Sequence, residues 1–171
     1  MSIHDKHKES KFETEIVEYL TSKDWIEGKS NGYDKNLALY TEDLISYIKN
    51  TQSDAYEKMA KREGVKTDEV LANYVAKELD KEGSLYFLRR EIKYIGSKFK
   101  LCQFKPELDN PDLQKRYDAN ILRVVRQVYY SKEDKSSIDL VLFLNGIPLA
   151  TFELKTDFTQ NVYDAIKQYK T

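Results

Sequence analysis

Ser137-Ile138-Asp139-Leu140-Val141-Leu142-Phe143-Leu144-Asn145-Gly146-Ile147-Pro148-Leu149-Ala150-Thr151-Phe152-Glu153-Leu154-Lys155 is the stretch that decides how this chain folds. Two apolar runs, Ile138 to Leu144 and Ile147 to Lys155, flank Asn145-Gly146. That dipeptide tolerates the positive φ angles of a tight turn, so the pattern predicts an antiparallel hairpin at the centre of a sheet. Asp139 opens the first strand, while Glu153 and Lys155 close the second, two residues apart and therefore on one face of the pleat. Charged groups in so apolar a strand are costly unless they are paired or functional. An isolated Glu-X-Lys is otherwise common, and the bland reading is a polar strand end.

The hairpin carries a parity problem. With Asn145-Gly146 as a two-residue loop, Leu144 pairs with Ile147, and Asp139 and Glu153 fall on opposite faces. A shared site then requires a three-residue loop with Gly146 in the left-handed region, a β-bulge, or a bend at Asp139.

Upstream, Ile121 to Tyr130 is dense in Val, Ile and Tyr and reads as another strand, Phe99 to Phe104 alternates loosely, and Pro106 to Pro111 reads as a turn-rich loop. Thr41 to about Glu82 reads as two or three helices, with a break at Gly64 and a cap near Thr67, and is taken as a helical insertion over about 34–82. At the N-terminus, Ser10-Lys11-Phe12-Glu13 has capping-box spacing ahead of Phe12, Ile16, Tyr19 and Leu20, which predicts a helix from about Lys11 to Ser22. Gly28 to Gly32 breaks it. After the hairpin, Val162, Ala165, Ile166 and Tyr169 recur at helical spacing. The sequence ends inside that pattern without a stop signal, so the 171 residues are expected to be a piece of a larger protein. The fold expected is α/β: a central mixed sheet of four to five strands, with the first and last helices packed on it.

A hydrophobic content of 40% supports a buried core in one domain, 1-171. Cys102 is the single cysteine, which excludes an internal disulfide. No apolar run suits a signal peptide or a membrane span, so the compartment expected is cytoplasmic. The net charge of −1 gives no general attraction to nucleic acid, although basic residues outnumber acidic ones between Lys81 and Lys135. Such a bias suits a solvated surface or a DNA-facing patch equally. No Gly-x-x-x-x-Gly-Lys-Ser/Thr loop occurs, so ATP is not expected to bind these residues.

Two carboxylates beside a lysine are a suitable set for phosphodiester hydrolysis. The carboxylates, Asp139 and Glu153, can hold a hard divalent cation that polarises the phosphate, and the lysine can orient or deprotonate the attacking water. A fourth acidic residue on the first helix would be one of Glu9, Glu13, Glu15 and Glu18, and at ~100° per residue Glu13 lies closer to the apolar stripe than Glu15 and is the choice. It could equally serve as the third residue of the capping box, and both roles can hold together. Arg126 is the preferred phosphate contact among Arg123, Arg126 and Lys135. His4 and His7 stand three apart, but at a polar terminus.

The hairpin with its Asn-Gly-x-Pro turn, the Glu-Leu-Lys that follows, Asp164-Ala165-Ile166-Lys167-Gln168-Tyr169, and Phe12-Glu13 with Ile16 and Leu20 together resemble the N-terminal nuclease domain of type I restriction enzyme restriction (R) subunits. The likeness reaches both ends of the chain and is weakest over the helical insertion. It implies the PD-(D/E)XK restriction-endonuclease-like fold and a Mg²⁺-dependent endonuclease cutting DNA, with Asp139, Glu153 and Lys155 as the catalytic triad. It also implies a supporting role for Gln168. Part of the family has a tyrosine four residues beyond that glutamine, a position this sequence does not reach, and Tyr169 is the tyrosine nearby. By the same resemblance, ATP would be used only by motor domains outside this sequence, and the partners would be DNA and the methyltransferase and specificity subunits of a restriction-modification complex. Two alternatives stand beside it: a repair or recombination nuclease on the same fold, and a noncatalytic docking module of a DNA-processing complex.

Overall fold

The structure is a computed structural model and describes residues 3–131, 134 and 136–154, with backbone only for 3–9. The elements are α1 (Ile3–Thr21), β1 (Ile26–Gly28), α2 (Thr41–Thr51), α3 (Ser53–Glu63), α4 (Thr67–Glu82), α5 (Ser84–Leu88), β2 (Glu91–Tyr94), β3 (Ser97–Lys100), α6 (Pro111–Asp118), β4 (Leu122–Tyr129), β5 (Ser137–Leu144) and β6 (Ile147–Phe152). The expected last helix lies outside the described residues. Among those described, no helix is long and apolar enough to cross a membrane.

An α/β architecture with a mixed four-stranded sheet results, in the order β1-β4-β5-β6. β1 runs parallel to β4, and the other neighbours are antiparallel. The strand β1 was not anticipated, because its three residues end in Gly28 and carry too little pattern. Gly28 is required there: a Cβ would sit 2.6 Å from the Arg123 side chain.

Three buried clusters organise the molecule. On one face of the sheet α1 lays Ile16, Val17 and Leu20 against Val124, Leu140, Leu142 and Leu154. The other face presents Val125, Val128, Val141 and Phe143 to Tyr33 and Tyr40. The largest cluster belongs to the insertion, where Leu44, Tyr47, Ile48, Met59, Leu71, Val75, Phe87, Ile92 and Phe99 pack with Ile147 at the hairpin turn. The insertion therefore extends beyond residue 82. α5 and the separate β2-β3 hairpin share its core, so it is an α+β unit that packs at the turn end of the main sheet.

Asn145-Gly146 forms the two-residue turn, with φ of 50° and 79°, and it is buried. Asn145 is fully inaccessible; its Oδ1 accepts from the Ile121 amide at 2.7 Å, and its Nδ2 donates to Leu101 O at 2.8 Å and Asn120 Oδ1 at 2.9 Å. The carbonyl of Gly146 accepts the Tyr40 amide at 2.8 Å. A side chain at 146 would meet the Tyr40 carbonyl at 2.2 Å. The turn thus joins the insertion to the sheet, in addition to reversing the chain.

One further expectation is corrected, and one loop is found as expected with an unanticipated helix after it. The first helix begins at residue 3, so Ser10 sits inside it and cannot cap it; its carbonyl accepts the Thr14 hydroxyl at 2.9 Å. Phe12 and Tyr19 are exposed, and Val17 completes the buried stripe in their place. The Pro106 to Pro111 loop leads into α6, which starts with Asn110 as cap, accepting from the Leu113 amide at 3.1 Å, and Pro111 in the first turn.

Candidate functional site

The hairpin register resolves the parity problem. Leu144 pairs with Ile147 and Phe143 with Pro148, but Leu142 pairs with Ala150, Val141 with Thr151 and Leu140 with Phe152. Leu149 has no partner in this ladder, and the shift is a β-bulge. The ladder ends at Leu140 and Phe152, one residue short of Asp139 and Glu153. Beyond it, the Leu154 amide donates to Asp139 Oδ2 at 2.7 Å, so Asp139 reaches the segment that carries Glu153. Glu153 is partly buried.

A second irregularity supplies the other half of the site. Val125 and Val128 lie three apart yet share a cluster, as do Ile138 and Val141, although strict alternation would place such pairs on opposite faces. The slip falls at Gln127, a non-glycine residue with φ of 49°. As a result, Arg126 and Gln127, adjacent in sequence, both reach toward α1.

Gln127 Nε2 donates to Glu13 Oε2 at 3.0 Å and to Asp139 Oδ1 at 3.2 Å. Its Oε1 accepts the Ser137 hydroxyl at 3.1 Å, and its backbone carbonyl accepts Ser30 Oγ at 2.7 Å. Glu13 is therefore inward, with a side chain 12% exposed, whereas Glu15 is 59% exposed and reaches only the equally superficial Lys11. The helical-wheel choice between them agrees with this geometry, and the capping role does not.

Arg126 stands at the rim. Its Nε and Nη2 hold Glu27 Oε1 at 2.9 and 2.6 Å, Nη1 is 3.5 Å from the Thr14 hydroxyl, and Nε lies 3.8 Å from Glu13. It is half-exposed and already engaged by carboxylates, which suits support of Glu13 better than a free phosphate contact. Arg123, the other candidate, is on the opposite face. It forms a two-pronged pair with Asp43 at 2.6 and 2.7 Å and lies over the Tyr40 ring, and hydrogen bonding to Asp43 raises its pKa further. Its role is to join β4 to α2; removing one partner of so buried a pair typically costs about 3–5 kcal/mol.

Lys155, Lys135, Gln168 and Tyr169 lie outside the described residues, as do the side chains of His4 and His7. Gln127 was missed by sequence reasoning. The signal that could have found it is the polar pair Arg126-Gln127 interrupting the alternation of an apolar strand.

The donor set can be weighed against a hard cation. Glu13 Oε2 and Asp139 Oδ1 converge on a single nitrogen, so the carboxylate oxygens of these two residues lie close to one another. Among the described residues no group of three or more His, Cys, Asp or Glu is placed to hold a metal ion. Glu13 and Asp139 carry the oxygen donors that hard divalent cations take, and Mg²⁺ is commonly held by one or two carboxylates with several waters.

The family model described as type I restriction enzyme R protein N terminus matches residues 6–171. Searches of curated proteins and of solved structures each gave no match.

Proposed function

The chain belongs to the family of type I restriction enzyme R protein N-termini, and from that premise we propose that it is a Mg²⁺-dependent endonuclease domain of PD-(D/E)XK type that hydrolyses DNA phosphodiester bonds. The observation that carries the proposal is the convergence of the Glu13 and Asp139 carboxylates on Gln127, with Asp139 also held by the Leu154 amide one residue beyond Glu153.

In this reading Asp139 and Glu153 hold the cation, which when bound would polarise the scissile phosphate and acidify a water. Asp139 keeps one oxygen on the Leu154 amide, which fixes its rotamer and leaves Oδ1 turned toward the site. Glu13 adds negative charge from α1. Lys155, two residues beyond Glu153, orients the attacking water or takes its proton. Gln168 and Tyr169 are proposed as supporting residues from the helix motif. DNA would be delivered by the complete restriction complex, with recognition in its specificity subunit and ATP used by motor domains elsewhere.

The noncatalytic docking module retains one observation in its favour, the lack of a three-ligand cluster among the described residues. Mg²⁺-dependent plasmid cutting by the complete R subunit with Glu153→Gln separates the two. Loss of cutting with DNA binding retained supports the nuclease, and undiminished cutting removes Glu153 from the chemistry.

A further inference from the structure

We infer that Gln127 is the positioning residue of the proposed cation site, holding the Glu13 and Asp139 carboxylates together before a cation arrives; the inference rests on the metal-site reading above. The carboxamide is fully committed. Its oxygen is taken by the Ser137 hydroxyl, which sets the amide's orientation, and its nitrogen faces both carboxylates at 3.0 and 3.2 Å. An NH₂ group has two hydrogens, so it can serve one carboxylate with each.

No other described contact joins Glu13 to Asp139. The first is on a helix and the second on a strand, 126 positions apart, and two carboxylates left to themselves would repel and rotate away. A neutral donor suits the task, because a lysine or arginine in the same place would itself neutralise the pair and compete with a cation. Carboxylate oxygens have about four acceptor directions between them, so Asp139 can keep the Gln127 and Leu154 donors and still present a lone pair to a cation.

The backbone points to the same role. Gln127 adopts φ of 49°, a region that non-glycine residues occupy only where the surroundings impose it, and such outliers concentrate at functional sites. The Ser30 hydroxyl on its carbonyl holds that conformation. In a regular strand, Gln127 would face away from Arg126 and from α1.

The test is Mn²⁺ affinity of the 171-residue chain, read by calorimetry and by paramagnetic resonance of the free ion, with melting temperature in EDTA alongside. Gln127→Met keeps length and loses the donors. Gln127→Gly removes the side chain while relieving the positive φ, which separates loss of the donors from backbone strain. Both are expected to bind Mn²⁺ ten- to a hundredfold more weakly, the usual effect of losing a residue that orients ligands, with little change in melting in EDTA. Unchanged or tighter binding in a folded variant overturns the inference, tighter binding meaning that the amide competes with the cation. Asp139→Asn is the control for the site itself. If it binds Mn²⁺ as well as wild type, or if wild type binds none, the metal-site reading falls and the inference with it.

Discussion

Asp139 fastens the end of its neighbouring strand: one carboxylate oxygen accepts the Leu154 amide at 2.7 Å while the other turns to Gln127. The residue proposed to hold a cation is thus also a structural clasp, and the two roles separate by substitution. Asp139→Asn keeps an oxygen for the Leu154 amide and should melt within about 1 kcal/mol of wild type. Asp139→Ala leaves that amide without its charged acceptor and should lose roughly 1.5–3 kcal/mol. Equal stability of the two variants in a denaturant titration would show that the clasp contributes nothing.

Glu13 and Glu15 are two residues apart on one helix and should behave differently. Glu13→Gln weakens Mn²⁺ binding, because Glu13 is the carboxylate that shares Gln127 with Asp139. Glu15→Gln changes neither binding nor stability beyond about 0.5 kcal/mol, as expected of an exposed side chain. Calorimetry showing the reverse order would displace α1 from the site.

Gly146→Ala should destabilise the chain by at least about 2 kcal/mol, combining a left-handed backbone with overpacking against the Tyr40 carbonyl. Because this turn seats the insertion on the sheet, the loss should appear as a lower denaturation midpoint for the whole domain. An unchanged midpoint would mean that the turn is free of Tyr40.

Cys102 is buried, and desolvation raises its thiol pKa against a weaker opposing effect of Lys100. A raised thiol pKa means less thiolate at any given pH, and thiolate is the reactive form. Reaction with a disulfide reagent at pH 8 should therefore be slow in the native chain and fast in guanidinium. Fast labelling of native protein would place Cys102 at the surface.

Much of this arrangement was legible in the sequence, for identifiable physical reasons. The hairpin announced itself through two apolar runs around Asn145-Gly146, and parity alone required an irregularity, although it could not choose between a longer loop, a bend and the bulge found at Leu149. Glu13 could be chosen by helical geometry even though its companions Phe12 and Tyr19 were misplaced, because Ile16 and Leu20 still defined the buried side. Gln127 was missed: the polar pair Arg126-Gln127 marks an interruption in the strand, but its role depends on a single positive φ and on groups from α1, β5 and a loop at Ser30, none of which that pair reveals. β2 and α6 were missed, and β3 was read at Phe99 to Phe104 rather than Ser97–Lys100, because each is short and takes its stability from tertiary packing or from one cap.

The most direct test of a nuclease centred on Asp139, Glu153 and Lys155 is plasmid cleavage by the complete R subunit in its restriction complex, with wild type compared with Asp139→Asn and Lys155→Ala. ATP hydrolysis, DNA binding and melting temperature are measured on the same samples. Both variants are expected to lose Mg²⁺-dependent cutting while the other three properties stay near wild type, since one lysine is a small part of phosphate attraction and these residues hold no Gly-x-x-x-x-Gly-Lys-Ser/Thr loop for ATP. Undiminished cutting by either variant, with the protein folded and bound to DNA, would contradict the assignment.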